Sequence, residues 1–203
     1  MHAARRSLLG INLVGGIAVL GSYAYGIASN PLTRGEVWGG VPDALRPLYT
    51  VTMLLAAAGY FAFSYFVFFR LDPDATRVGG RLGFRVFHAL YALILFPSAA
   101  WMPLTFAMLE SPGDGLWWAI RIVLAAVGLG SVGLLAAIVA VRTPSAVAAR
   151  RLAMIGCAAF CLQTAVLDAI VWPAFFPHST PAGAANATLA VAAATSASTV
   201  GAA

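Results

Sequence analysis

Two charged residues stand inside long apolar runs, and they are the first candidates for chemistry. Asp168 lies in Val166-Leu167-Asp168-Ala169-Ile170-Val171-Trp172, and Arg121 follows Leu116-Trp117-Trp118-Ala119-Ile120. An ionisable group held away from water is costly, so it must find a partner, stay neutral or serve a ligand. If both runs are membrane helices, a rise of about 1.5 Å per residue sets Arg121 roughly 9 Å and Asp168 roughly 10 Å below the same end. Equal depth predicts that the two pair across adjacent helices, as a structural bridge or as the holder of a polar ligand group. Snorkelling of Arg121 to the interface is the competing arrangement.

Two polar stripes accompany these charges. His88, Tyr91, Leu95, Ser98, Met102 and Thr105 follow three-four spacing and share one helix face, which should point at protein. Pro97 and Pro103 in the same run free backbone carbonyls that neighbouring helices must satisfy. Cys161, Thr164, Asp168 and Trp172 form a second stripe at the same spacing. Ordinary interhelical hydrogen bonding is the plainer use of both.

Other chemistries lack the residues they need. Haem ligation by two histidines is excluded, because His88 is the one histidine within an apolar run. Cys157 and Cys161 stand one turn apart without histidine or carboxylate neighbours, so they read as small packing residues rather than a metal site. No phosphate loop, dinucleotide glycine pattern, zinc-protease motif or serine nucleophile elbow occurs. No catalytic residue, metal or cofactor is therefore expected, and Asp168 is the acid or base that an alternative membrane-enzyme reading would use.

Aromatic residues supply walls rather than catalysts. Trp38, Trp117, Trp118, Trp172, Tyr23, Tyr25 and Tyr49 fall toward one end of the runs that contain or flank them. Interfacial belts account for some, Trp117-Trp118 most plainly. Trp101 lies roughly 12 Å below that end, deeper than a belt requires. With Pro42, Arg46 and Pro47 in the adjoining loop, these side chains could line and cover a pocket, in which Trp38, Tyr49 and Trp101 would touch a ligand.

The elements that must position these residues follow from composition. In 203 residues, 61% are hydrophobic and 9% charged, with a mean hydropathy of +0.88; a soluble chain carries about 25% charge. All twelve basic residues are arginine, gathered in short clusters rather than a stripe, which excludes a nucleic-acid partner. Windows of about 20 residues pick out five spanning helices, at roughly 8–28, 48–70, 84–109, 116–141 and 150–175. The expected fold is an all-α polytopic membrane bundle covering residues 1–177. The 178–203 tail, rich in Ala, Ser and Thr, reads as disordered.

Arginine placement sets the expected orientation. Arg5, Arg6, Arg70, Arg77, Arg81, Arg85, Arg142, Arg150 and Arg151 fall on one side, against Arg34 and Arg46 on the other. Basic residues stay on the cytoplasmic side, so the N-terminus is expected inside and the C-terminus outside. Arg5-Arg6-Ser7-Leu8-Leu9 also looks like a signal peptide with a cleavage site near Ala28-Ser29, but the apolar run is long for one and the arginine pattern works with the helix retained. Asn186-Ala187-Thr188 matches a glycosylation acceptor and decides nothing. An arginine-rich, lysine-free chain suits a GC-rich genome and points to a bacterial inner membrane.

Several strings then resemble the tryptophan-rich TspO/translocator family. They are the loop running into Leu45-Arg46-Pro47-Leu48-Tyr49-Thr50-Val51, the stretch Ala56-Ala57-Ala58-Gly59-Tyr60, Trp101 in the third helix, and Val166 to Trp172 in the fifth. The family has Trp-x-Pro-Pro where this chain has Trp38-Gly39-Gly40-Val41-Pro42, and asparagine where it has Ser98 and Asp168. The resemblance implies a five-helix receptor or carrier for hydrophobic planar ligands such as porphyrins or sterols.

Three function classes are carried forward. The first is a bundle binding a porphyrin-, sterol- or isoprenoid-like molecule in an outer-leaflet pocket formed by Trp38, Tyr49, Trp101, Thr105, Arg121, Thr164, Asp168 and Trp172. The second is a membrane enzyme on a lipid-like substrate using Asp168. The third is an assembly subunit whose stripes mate with partner helices. Membrane lipid and a hydrophobic small molecule are the expected partners. An odd helix number disfavours a transporter built from equal halves unless the chain forms a homodimer.

Overall fold

The computed structural model describes residues 2–141 and 147–177. It is an all-α bundle whose five long helices are each long and apolar enough to cross a membrane: α1 (Ala3–Ser29), α2 (Arg46–Arg70), α3 (Arg85–Glu110), α4 (Asp114–Ala140) and α5 (Val147–Phe175). The proposed tail and the Asn186 tripeptide lie outside the described residues. Helix α1 starts five residues before the expected boundary because the His2 side chain accepts a hydrogen bond from the Ala4 N–H, capping the helix ahead of the apolar run. Arginines 5 and 6 thus belong to the helix, and the Arg5 guanidinium reaches the Leu71 carbonyl at 3.0 Å.

Packing is serial. Helix α1 lies along α3, α3 along α4, α4 along α5, and α5 along α2, while α1 and α2 scarcely touch. Much of the outward surface is large and apolar: Leu13, Leu20, Leu129 and Ile155 are all exposed. In water such a surface would be an aggregation liability; against acyl chains it is the expected solvent face. Helices α2 and α5 meet backbone to backbone at Gly59 and Gly156, where a Cβ on Gly156 would stand 2.7 Å from the Gly59 Cα. Small residues at the crossing allow that approach, and dispersion contacts hold it.

The interior divides into two clusters. At the arginine-rich end, Leu8, Phe63, Phe66, Phe87, Tyr91, Leu134 and Ile138 are fully buried. Cys157 lies among them, also fully buried. At the opposite end, Val41, Tyr49, Trp117, Ile120, Leu124, Leu167, Trp172 and Phe176 form a second core. The α3 stripe faces protein as its spacing predicts: Tyr91, Leu95, Met102 and Thr105 are buried, and the His88 Nε2–H donates to the Ala4 carbonyl at 2.9 Å.

The α5 stripe is different from its prediction. Residues Leu162–Val171 wind as a π-helix, whose hydrogen bonds join residues five apart instead of four. Three-four spacing therefore stops describing which side chains share a face. Thr164 turns to α4, where its hydroxyl bonds the Ser131 hydroxyl at 2.9 Å. Asp168 instead joins Gln163, five residues before it.

Between α2 and α3 a small hairpin, β1 (Arg77–Val78) and β2 (Leu82–Gly83), closes the arginine-rich end. Gly79 and Gly80 adopt φ of +58° and +76° in its turn, a region that side-chain-bearing residues rarely enter. Val78 bridges to Val141, which fastens the hairpin to the end of α4.

Candidate functional site

The loop between α1 and α2 is fixed to the far end of α5 by two hydrogen bonds. The Trp172 indole N–H donates to the Val37 carbonyl at 2.9 Å, and the Gly40 N–H donates to the Phe175 carbonyl at 2.9 Å. Gly39 has a φ of +58° and lies against Phe176, so a Cβ there would be both strained and blocked. This path turns Trp38 edge-on to Tyr49, with ring centres 6.0 Å apart. The Arg46 guanidinium lies 5.9 Å from the Trp38 ring centre and pairs with Asp43 at 2.9 Å. The loop thus covers the end of the bundle, as its aromatic and proline content suggests.

Beneath the loop lies a polar line. Tyr49 is buried, and its O–H donates to the Leu167 carbonyl at 3.0 Å. Lower on α2, the Thr52 hydroxyl donates to Gln163 Oε1 at 2.7 Å. The same amide then donates through Nε2 to Asp168 Oδ1 at 2.7 Å. Asp168 is half-buried and near enough to the Tyr23 and Tyr49 hydroxyls to act on them electrostatically. Tyr23 comes from α1 and Tyr49 from α2, two helices with few contacts that are joined elsewhere by the Tyr60 hydroxyl donating to Asn12 Oδ1.

Trp101 completes the cluster from α3. Its ring sits 5.6 Å from Tyr23 and 5.7 Å from Trp172, centre to centre. Its indole N–H is buried and has no hydrogen-bond partner. A buried donor left unmade costs about 1–3 kcal/mol, so this atom needs an explanation that packing does not supply.

Five of the eight expected site residues, Trp38, Tyr49, Trp101, Asp168 and Trp172, are thus in one neighbourhood. Thr105 is fully buried on the helix that carries Trp101, but its hydroxyl is bonded to the Trp101 carbonyl at 2.9 Å and presents nothing to a ligand. Thr164 serves the α4–α5 contact. Arg121 does not pair with Asp168: it is exposed, with its guanidinium 5.9 Å from the ring centres of both Trp117 and Trp118. Equal depth is not enough, because Arg121 projects from the outward face of α4, where it rests against the Trp117 and Trp118 rings. Sequence reasoning missed Gln163 and Thr52, whereas Tyr23 was among the aromatic residues expected to line the pocket. Gln163 carried a visible signal as an amide five residues before a buried acid, but only a π-helical turn aligns that pair.

Two open grooves occur elsewhere, one between α1 and α3 near Ser22, Asn30 and Glu110, the other at the arginine-rich end. Comparison with protein-family models, curated proteins and solved structures returns no match.

Proposed function

We propose that this chain is a membrane receptor or carrier that binds a hydrophobic, ring-bearing small molecule between α1 and α2, under the first loop. The observation that carries this reading is the buried, unpartnered Trp101 N–H within an aromatic cluster that also holds a carboxylate. An indole donor and an acid in one apolar site suit a mostly apolar ligand with one or two polar groups. Trp38, Tyr49, Trp101 and Trp172 give flat surfaces for rings, and Asp168, already held by Gln163, has acceptor capacity left for a donor on the ligand. A porphyrin, sterol or isoprenoid skeleton meets that description, and the resemblance to the TspO family implies the same class.

Protoporphyrin IX is a practical probe, because its binding quenches tryptophan fluorescence. Trp101→Leu is expected to weaken binding at least about tenfold, the equivalent of about 1.4 kcal/mol. Trp118→Leu, which removes an exposed ring outside the cluster, is expected to change it less than about twofold, since surface substitutions shift energies by about 0.5 kcal/mol. Equal effects would remove the basis for this site. Turnover of the probe instead of simple binding would favour an enzyme built on Asp168.

The reading includes an orientation: N-terminus in the cytoplasm, C-terminus outside, in a bacterial inner membrane, with the aromatic site in the outer leaflet. The support is the arginine asymmetry. Single cysteines engineered beside Arg34 and beside Arg77, in a background lacking Cys157 and Cys161, are expected to react with an impermeant maleimide from opposite sides. Labelling of both from one side means that the helix count is wrong, and access to the Arg77 site from outside the cell overturns the orientation.

A further inference from the structure

The groove at the arginine-rich end lies at the far end of the bundle from the aromatic site and carries a separate inference. It has a volume of about 470 Å³ and runs between α3 and α4, lined by Leu82, Val86, Leu90, Gly133, Ala136 and Ala140. Almost all of that lining is hydrocarbon, and Arg81 stands in the same wall. The Arg81 side chain has no hydrogen bond or ion pair among the described residues, and it is exposed. Its nearest acids in sequence make contacts elsewhere: Asp74 lies 3.0 Å from His2, and Asp72 accepts the Asp74 N–H at 2.9 Å. The loop that carries Arg81 also holds Arg77 and leads into Arg85 at the start of α3. Arginine thus outnumbers acid in this stretch, with Arg70, Arg77, Arg81 and Arg85 against Asp72 and Asp74.

We infer that the groove holds one acyl chain of an anionic phospholipid, with the headgroup phosphate on Arg81. The two parts of the lipid explain the two parts of the site. A stretch of methylenes covers the open apolar groove, and a phosphate supplies the counter-charge that Arg81 lacks. The hairpin turn fixes the distance between them, since the Val78–Val141 bridge holds the strand beside α4 while Gly79 and Gly80 carry the chain round to Arg81. A zwitterionic lipid offers the same chain but adds a cation next to an arginine.

The test uses the full chain in a neutral detergent, incubated with phosphatidylglycerol or phosphatidylcholine of matched chain length, with bound lipid counted by native mass spectrometry. Retention of the anionic lipid is expected to exceed that of the zwitterionic lipid about fivefold. Arg81→Gln should abolish that preference, whereas Arg34→Gln, at the other end of the bundle, should leave it intact. Ala136→Phe, which projects a ring into the groove, should reduce retention of both lipids. The inference is overturned if the wild-type chain holds both lipids equally, if Arg81→Gln keeps the preference, or if the groove proves to mediate a dimer that Ala136→Phe breaks without changing lipid retention. Should Ala136→Phe fail to fold, the Arg81 comparison, made on an exposed loop residue, still decides.

Discussion

Gly59→Ala is expected to be the most damaging single-methyl substitution in the bundle, lowering stability by about 3 kcal/mol, the upper end of overpacking costs. Its added Cβ would fall on the backbone carbonyl of Gly156, and a backbone atom in the middle of a long helix cannot rotate away as a side-chain tip can. The α2–α5 pair would have to separate along one of the closest interfaces of the fold, and the Tyr49, Thr52 and Gly59 side of α2 would lift from α5 together. Gly10→Ala and Gly16→Ala supply the control, because a Cβ at either meets open space and alanine has the higher helix propensity. Thermal or denaturant unfolding in mixed micelles should rank Gly59→Ala far below the wild-type chain and the two α1 variants at or slightly above it. A Gly59→Ala protein as stable as Gly10→Ala would mean that α2 and α5 do not approach as described.

Why some of this was legible in the sequence and some was not is a matter of period. Long apolar runs need only length and composition to be read, so five helices follow from hydropathy alone, and the proline, glycine and charge between them mark their ends. The α3 face from His88 to Thr105 obeys an ordinary helical repeat, and its burial follows. The first loop could be expected to cover the aromatic end because tryptophan and proline are poor choices for an idle loop, although no spacing announces the bonds from Trp172 to Val37 and from Gly40 to Phe175. The site on α5 was only half legible. A π-helical turn shifts each later side chain by about one position, and nothing in Leu162–Val171 as a string of letters reports that the backbone winds this way. The consequence was a face drawn through Thr164 and Asp168 that the chain splits, and an amide at Gln163 passed over. Charge is similarly ambiguous: depth along a helix is readable from residue number, but the direction a side chain takes around it depends on which neighbours the helix finds. Arg121 and Asp168 share a level and no contact.

That separation makes a sharp prediction about the polar line. Gln163 is buried and bridges two groups, accepting from Thr52 and donating to Asp168, each at 2.7 Å. Gln163→Leu keeps the bulk and removes both bonds, leaving the buried Thr52 hydroxyl and the half-buried Asp168 carboxyl without that partner. The expected loss is about 3 kcal/mol, since each orphaned buried group costs about 1–3 kcal/mol and the hydroxyl can fall back on the Leu48 and Tyr49 carbonyls of its own helix. Asp168→Asn should be far milder, about 1 kcal/mol or less, because an asparagine carbonyl still accepts the Gln163 N–H. A double-mutant cycle between Gln163→Leu and Asp168→Leu should show a coupling of about 1–3 kcal/mol, as expected for side chains in direct contact. The parallel cycle between Asp168→Asn and Arg121→Gln should be additive within about 0.5 kcal/mol, because Arg121 rests on Trp117 and Trp118. If Arg121→Gln instead rescued Asp168→Asn, the two charges would have to meet, and the π-helical turn that directs Asp168 toward Gln163 would be the element to reject.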